Sequence, residues 1–133
     1  SYMDNKRPID IYNNIIVPKI REIDIFLKTS ENMNFKEVCS ILEISENELK
    51  DILLKINQKE IDSSNLFSVM LNGTSFICKI LKREIECGSP YFYDASDLSY
   101  IYNLDYEKVL IAYNFLNLDR ITEKQIPAVL MQI

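Results

Sequence analysis

The sequence predicts an all-α protein of about eight helices. Only two glycines, Gly73 and Gly88, occur in 133 residues, so hairpins that need positive φ at their turns are scarcely available. Apolar residues recur at spacings of three and four, the period of a helix with one buried face. Side chains that accept a hydrogen bond from the first turn of a helix (Asn34, Ser45, Thr74, Asp94, Asp105 and Thr122) stand ahead of those apolar runs.

Pro8 suits a first helical turn, where a missing N–H leaves nothing unsatisfied. Ile9, Tyr12, Ile16, Ile20, Ile23 and Leu27 follow on one stripe, with a bend expected at Pro18. Asn34 caps a helix that turns Val38, Cys39, Ile41 and Leu42 inward, and Ser45-Glu46-Asn47-Glu48 reads as a capping box for the next, whose stripe is Leu49, Ile52, Leu53 and Ile56. A short helix is expected from about Ser63 to Leu71; Asn72-Gly73 then turns the chain, and Thr74 caps a longer helix with Phe76, Ile77, Ile80 and Leu81 inside. Gly88 and Pro90 end it. Asp94 caps a helix through Tyr102, Asp105 another through about Leu116, and Thr122 with Gln125 opens the last.

Composition bounds the function. Hydrophobic residues make up 47% and charged residues 26% of the chain, a globular balance. No apolar run approaches the ~18 residues of a membrane span, and no signal-peptide pattern opens the chain, so the expectation is a cytoplasmic protein without a membrane partner. Cys39, Cys78 and Cys87 fall within apolar helical patterns, without a CxxC and without any histidine, so buried reduced thiols are expected, with no metal and no cofactor. The net charge of −5 divides as +1 over residues 1–30, −4 over 31–72 and −2 over 73–133. Nucleic acid as a partner is disfavoured, because affinity for a phosphate backbone rests on lysine and arginine.

The chain lies on itself at an offset of sixty, residues 13–73 on 73–133, without a gap. Identical pairs are Lys19/Lys79, Ile20/Ile80, Ile25/Ile85, Ile41/Ile101, Asn57/Asn117, Ile61/Ile121 and Val69/Val129. The phasing carries more than the identities: Val38 falls on Leu98, Ile44 on Leu104, Leu49 on Val109, Ile56 on Leu116, Leu66 on Ile126 and Met70 on Leu130. The expected organisation is one compact domain over 1–133, with repeat 1 at about 13–72 and repeat 2 at about 73–133 sharing a core.

Residues 35–52, Phe35-Lys36-Glu37-Val38-Cys39-Ser40-Ile41-Leu42-Glu43-Ile44-Ser45-Glu46-Asn47-Glu48-Leu49-Lys50-Asp51-Ile52, resemble the helix-turn-helix unit of bacterial transcription regulators. Cys39 is small where the helices cross, and Val38, Leu42, Ile44, Leu49 and Ile52 fill the wedge. Glu43 stands where that unit usually has glycine. The second copy is similar, with Leu98, Tyr102, Leu104, Val109 and Ala112 in the wedge, Ser99 as the small residue and Asn103 suited to a left-handed turn.

The resemblance implies that function lies on the second helix of each unit, whose first exposed residues reach base edges in proteins that read DNA. Here those residues are Ser45, Glu46, Asn47, Lys50 and Asp51 in one copy and Asp105, Tyr106, Glu107, Leu110, Ile111 and Asn114 in the other. Carboxylates facing phosphates repel. Leu110 and Ile111 stand where a DNA reader keeps polar side chains, so an apolar cover is expected over them. Eight of the chain's aromatics fall within residues 91–115, and tyrosine buries a large amphipathic ring at low entropy cost.

The leading expectation is therefore a regulatory or adaptor protein that binds a protein partner, or a second copy, through Tyr91, Phe92, Tyr93, Tyr106, Leu110, Ile111 and Asn114. The alternative is a DNA-binding regulator using Lys79, Lys82 and Arg83 with other basic residues of the long helices. A third possibility is an enzyme using paired carboxylates, Glu84 with Glu86 near Cys87 or Asp94 with Asp97. Without histidine the commonest general base is missing, and no catalytic residue is assigned.

Overall fold

The computed structural model describes residues 6–30 and 33–133. All its regular elements are helical, and no strand longer than an isolated bridge occurs among the described residues. No helix among them is long and apolar enough to cross a membrane.

Pro8 opens α1 (Pro8–Ile11), which runs through a π-helical segment, Tyr12–Ile16, into α2 (Val17–Thr29). Where the sequence suggested a bend at Pro18, the chain carries this wider turn, with the Val17 N–H donating to the Tyr12 carbonyl. Proline has no N–H to donate, and its ring crowds the carbonyl four residues back. A π turn directly ahead of it accommodates both effects.

By its contacts the chain divides into two units, Pro18–Lys82 and the described residues up to Val17 together with Arg83–Ile133. The first unit holds α2, α3 (Phe35–Leu42), α4 (Glu46–Lys55), α5 (Leu66–Asn72) and the start of α6 (Phe76–Glu86). Its core is built from the expected stripes: Ile23 and Phe26 of α2, Val38 and Leu42 of α3, Leu49, Ile52 and Leu53 of α4, and Leu66, Val69 and Met70 of α5. Each such side chain contributes about 1.5–3 kcal/mol when fully buried. Ile77 and Cys78 of α6 complete the same core. Residues 73–82, which the offset of sixty assigns to the second repeat, thus pack on the first unit.

Local hydrogen bonds fix the helix ends. The Asn34 side chain accepts from the Glu37 N–H at 2.8 Å and the Ser45 hydroxyl oxygen from the Glu48 N–H at 3.0 Å. Between α3 and α4, Glu43 takes the left-handed conformation at φ 58°, and the Ile44 N–H closes onto the Cys39 carbonyl. The expected return bond from Glu48 to Ser45 is replaced: the Glu48 carboxylate accepts the Thr74 hydroxyl. The cap of α6 is Ser75 and not Thr74. Its hydroxyl oxygen accepts from the Cys78 N–H at 3.2 Å and its proton goes to the Leu42 carbonyl at 2.6 Å, satisfying an acceptor orphaned at the end of α3. Helix α5 begins three residues later than expected. Asp62 first folds a turn, accepting from the N–H groups of Ser64 and Asn65, and the buried Asn65 side chain donates to the Glu60 carbonyl.

The other unit contains α7 (Ala95–Tyr102), α8 (Tyr106–Phe115), a 3-10 turn at Glu123–Gln125 and α9 (Ile126–Leu130). Its buried residues include Ile9, Tyr12 and Ile16 from the start of the chain with Leu98, Ile101, Val109, Ala112, Tyr113, Ile121, Ile126 and Leu130. Tyr12 meets Tyr102 edge-on, ring centroids 5.6 Å apart, the arrangement favoured by the ring quadrupole. Asp94 and Asp97 form a reciprocal capping box, Asp105 caps α8, and the Gln125 side chain accepts from the Thr122 N–H.

The two units share their backbone details. Left-handed residues stand at Glu43 and Asn103 and again at Asn57 and Asn117, and single antiparallel bridges join Met33 to Ile61 and Tyr93 to Ile121. Each pair of positions is sixty apart in sequence.

Candidate protein-interaction surface

Helix α8 displays two kinds of surface. Val109, Ala112 and Tyr113 face the core, while Ile111 and Phe115 point away from it and are 65% and 74% exposed. Separated by four residues, they sit one above the other on the helix. Ile111 is mostly open to solvent, whereas Leu110 is half-buried. In α4 the corresponding positions are Asp51 and Lys55, an ordinary solvated pair. Beside this face lies a groove of about 220 Å³ lined by Tyr106, Leu110, Tyr113, Asn114 and Leu118 with Asp94 and Asp119 at its polar edge.

Tyr91 and Phe92 lie elsewhere on the same unit, in the segment between α6 and α7. Tyr91 is 90% exposed, and together with Pro90, Phe92, Thr122, Glu123 and Lys124 it lines an open cleft. The Arg120 guanidinium stands 5.9 Å from the centre of the Phe92 ring, a cation–π distance. The structure therefore separates the expected surface residues into a cleft around Tyr91 and Phe92, a groove holding Tyr106, Leu110 and Asn114, and the outward face carrying Ile111.

Tyr93 also lines the cleft around Tyr91 and Phe92, but it is not a free contact. It is buried at 5% exposure, exchanges backbone hydrogen bonds with Ile121, and donates its hydroxyl to Glu84 at 2.6 Å. Its carbonyl accepts the hydroxyl of buried Tyr113 at 2.9 Å. Burial, the hydrogen bond and the neighbouring carboxylates all disfavour a phenolate at Tyr93, so it acts as a neutral donor. Phe115 is the residue that sequence reasoning left out, though its spacing of four from Ile111 was visible.

The basic residues are dispersed or engaged. Lys79 and Lys82 are exposed and Arg83 is half-buried, and Lys79 and Arg83 each already have an interaction partner. Lys19 pairs with Glu22 at 3.1 Å and Glu43 at 3.6 Å, and Arg7 donates to the Met131 carbonyl. The first turns of α4 and α8 carry Glu46, Glu48 and Glu107.

The candidate carboxylates serve structural bonds. Glu84 accepts from Tyr93, Glu86 accepts from Tyr100, and Asp94 and Asp97 cap α7. Burial pushes the Cys39 and Cys78 thiols up, and burial with nearby carboxylates does the same at Cys87, which holds their protons on. No group of three or more His, Cys, Asp or Glu side chains among the described residues is placed to hold a metal ion.

Compared with known proteins, the chain matches no protein-family model, no curated protein and no solved structure.

Proposed function

We propose that this chain is a cytoplasmic regulatory or adaptor protein that works through protein–protein contacts, built from two copies of one helix-turn-helix-like unit. The observation that carries this reading is the Ile111 and Phe115 pair, exposed one turn apart on α8. Covering both side chains is worth roughly 1.5–3 kcal/mol each, enough to anchor an interface whose rim supplies specificity. The replacement of Asp51 and Lys55 by Ile111 and Phe115 at matching positions supports a specialised surface on one unit only. The doubled left-handed turns and bridges support descent from a single unit. The carboxylates that open α4 and α8, and the ion pairs that occupy Lys19, weigh against a DNA-reading role.

The test places a photo-crosslinking residue at position 111 in cells and a control at position 28, an exposed lysine of α2. A protein crosslinked from 111 alone would be purified and its affinity measured. Ile111→Glu and Phe115→Ser are each expected to weaken it at least tenfold without changing stability. Crosslinking only to a second copy, with a dimer in light scattering, identifies a self-association surface instead. Equal yields from both positions, or unchanged affinity in both variants, would refute the reading.

A further inference from the structure

The unit Pro18–Lys82 carries a groove of its own, lined by Phe35, Lys50, Leu53, Leu54, Gln58 and Lys59, with a volume of about 360 Å³. Every one of these residues has a counterpart sixty positions on (Ala95, Leu110, Tyr113, Asn114, Leu118 and Asp119) in the groove beside α8. The concavity is thus a property of the shared architecture, in which the start of one helix, the later face of the next and the following left-handed turn enclose it. Its chemistry is not shared. The first groove has two lysines and no carboxylate in its lining, while the second has Asp94 and Asp119 and no lysine.

Three features identify what the first groove fits. Its floor is apolar, from Phe35, Leu53 and Leu54, and Leu54 is 79% exposed although it sits on a helix whose neighbouring Leu53 is buried. Two cations flank that floor, and no carboxylate among the described residues pairs with Lys50 or Lys59. Lys36, Lys55, Asp51 and Glu60, all exposed, adjoin lining residues in sequence but lie outside the lining, and their charges balance, so the charge of the groove is that of Lys50 and Lys59. In a chain of net charge −5 this is a local reversal, and charge complementarity selects partners more than it adds affinity.

We infer that this groove binds an acidic segment of another protein, one that seats a large apolar side chain against Leu54 while its carboxylates meet Lys50 and Lys59. The inference concerns a different unit and different residues from the α8 surface, so either can fail without the other.

The test is an amide NMR titration of the full chain with an octapeptide bearing a central Leu-Phe pair flanked by three glutamates on each side. A control peptide carries lysines in place of the glutamates. Shifts are expected at Phe35, Lys50, Leu53, Leu54, Gln58 and Lys59, with at least tenfold tighter binding of the acidic peptide at low salt. The double variant Lys50→Glu with Lys59→Glu should reverse that preference, and Leu54→Asp should weaken binding at least tenfold. All three side chains are exposed, so the variants keep the dispersed spectrum of the folded chain. Equal affinity for both peptides would overturn the inference, as would shifts confined to α8. So would the same shifts produced by duplex DNA, or shifts at Leu54 that depend on protein concentration without peptide.

Discussion

The Tyr93 hydroxyl donates to Glu84 Oε1 at 2.6 Å, tying a buried tyrosine to a half-buried carboxylate nine residues earlier. Burial raises the Glu84 carboxyl above its ordinary 4.5, the Tyr93 bond lowers it, and the charges of Glu123 and Asp97 raise it again, for a net rise. The folded chain therefore takes up this proton more readily than the unfolded chain. The contribution of Glu84 to stability is full below 4.5 and declines as pH rises through the raised folded value. Glu84→Gln keeps an acceptor for Tyr93 without the charge. Its melting temperature is expected to gain on that of the natural chain as pH rises from about 4 to 7; a constant difference across that range would contradict the assignment.

Gly73 is required for close approach and not for a left-handed turn, since its φ is −75°. A Cβ there would lie 2.6 Å from the Cys78 sulfur and 3.0 Å from the Cys78 Cβ, and Cys78 is fully buried. Gly73→Ala is expected to cost about 1–3 kcal/mol in urea denaturation, the usual range for overpacking. Combining it with Cys78→Ala removes the sulfur from the clash, so part of that cost should be recovered. Additive losses would show that the two sites do not collide.

Ser75 and Thr74 separate a cap from its neighbour. Ser75→Ala removes both the acceptor for the Cys78 N–H and the donor to the Leu42 carbonyl, so a loss of about 1–3 kcal/mol is expected. Thr74 is exposed and bonds only to the Glu48 side chain, and its alanine variant should lose less than about 0.5 kcal/mol. The reverse order would place the cap at Thr74.

Glu43 holds a left-handed conformation that costs a residue with a Cβ about 1–2 kcal/mol. In its ion pair with Lys19 at 3.6 Å the Glu43 side chain is 49% exposed and that of Lys19 16%, and Lys19 keeps Glu22 as a second partner, so the pair returns about 0–1 kcal/mol. Strain outweighs the pair, so Glu43→Gly is expected to stabilise the chain by about 0.5–1 kcal/mol after the flexibility of glycine in the unfolded chain is deducted. Chemical denaturation checks this, and a loss would mean that the Lys19 pair dominates.

The helices, most of their caps and the recurrence of apolar positions at an offset of sixty were legible in the sequence. Asn34, Ser45, Asp94 and Asp105 act on N–H groups two or three residues away, and Asn103 needs only its own φ, so their signals are contained in a few neighbouring letters. Tertiary structure decided which of two adequate side chains is used. Ser75 caps in place of Thr74 because the Leu42 carbonyl, 33 residues earlier, is within its reach. Tyr93 is interior while Tyr91 is exposed because Ile121 pairs with the backbone of the former. The early part of α6 joins the first unit because Ile77 and Cys78 find its core. Leu54 was legible as apolar but not as exposed, since exposure depends on whether another element arrives to cover a helix face. That outcome depends on contacts between residues far apart in the chain, which helical periodicity does not encode.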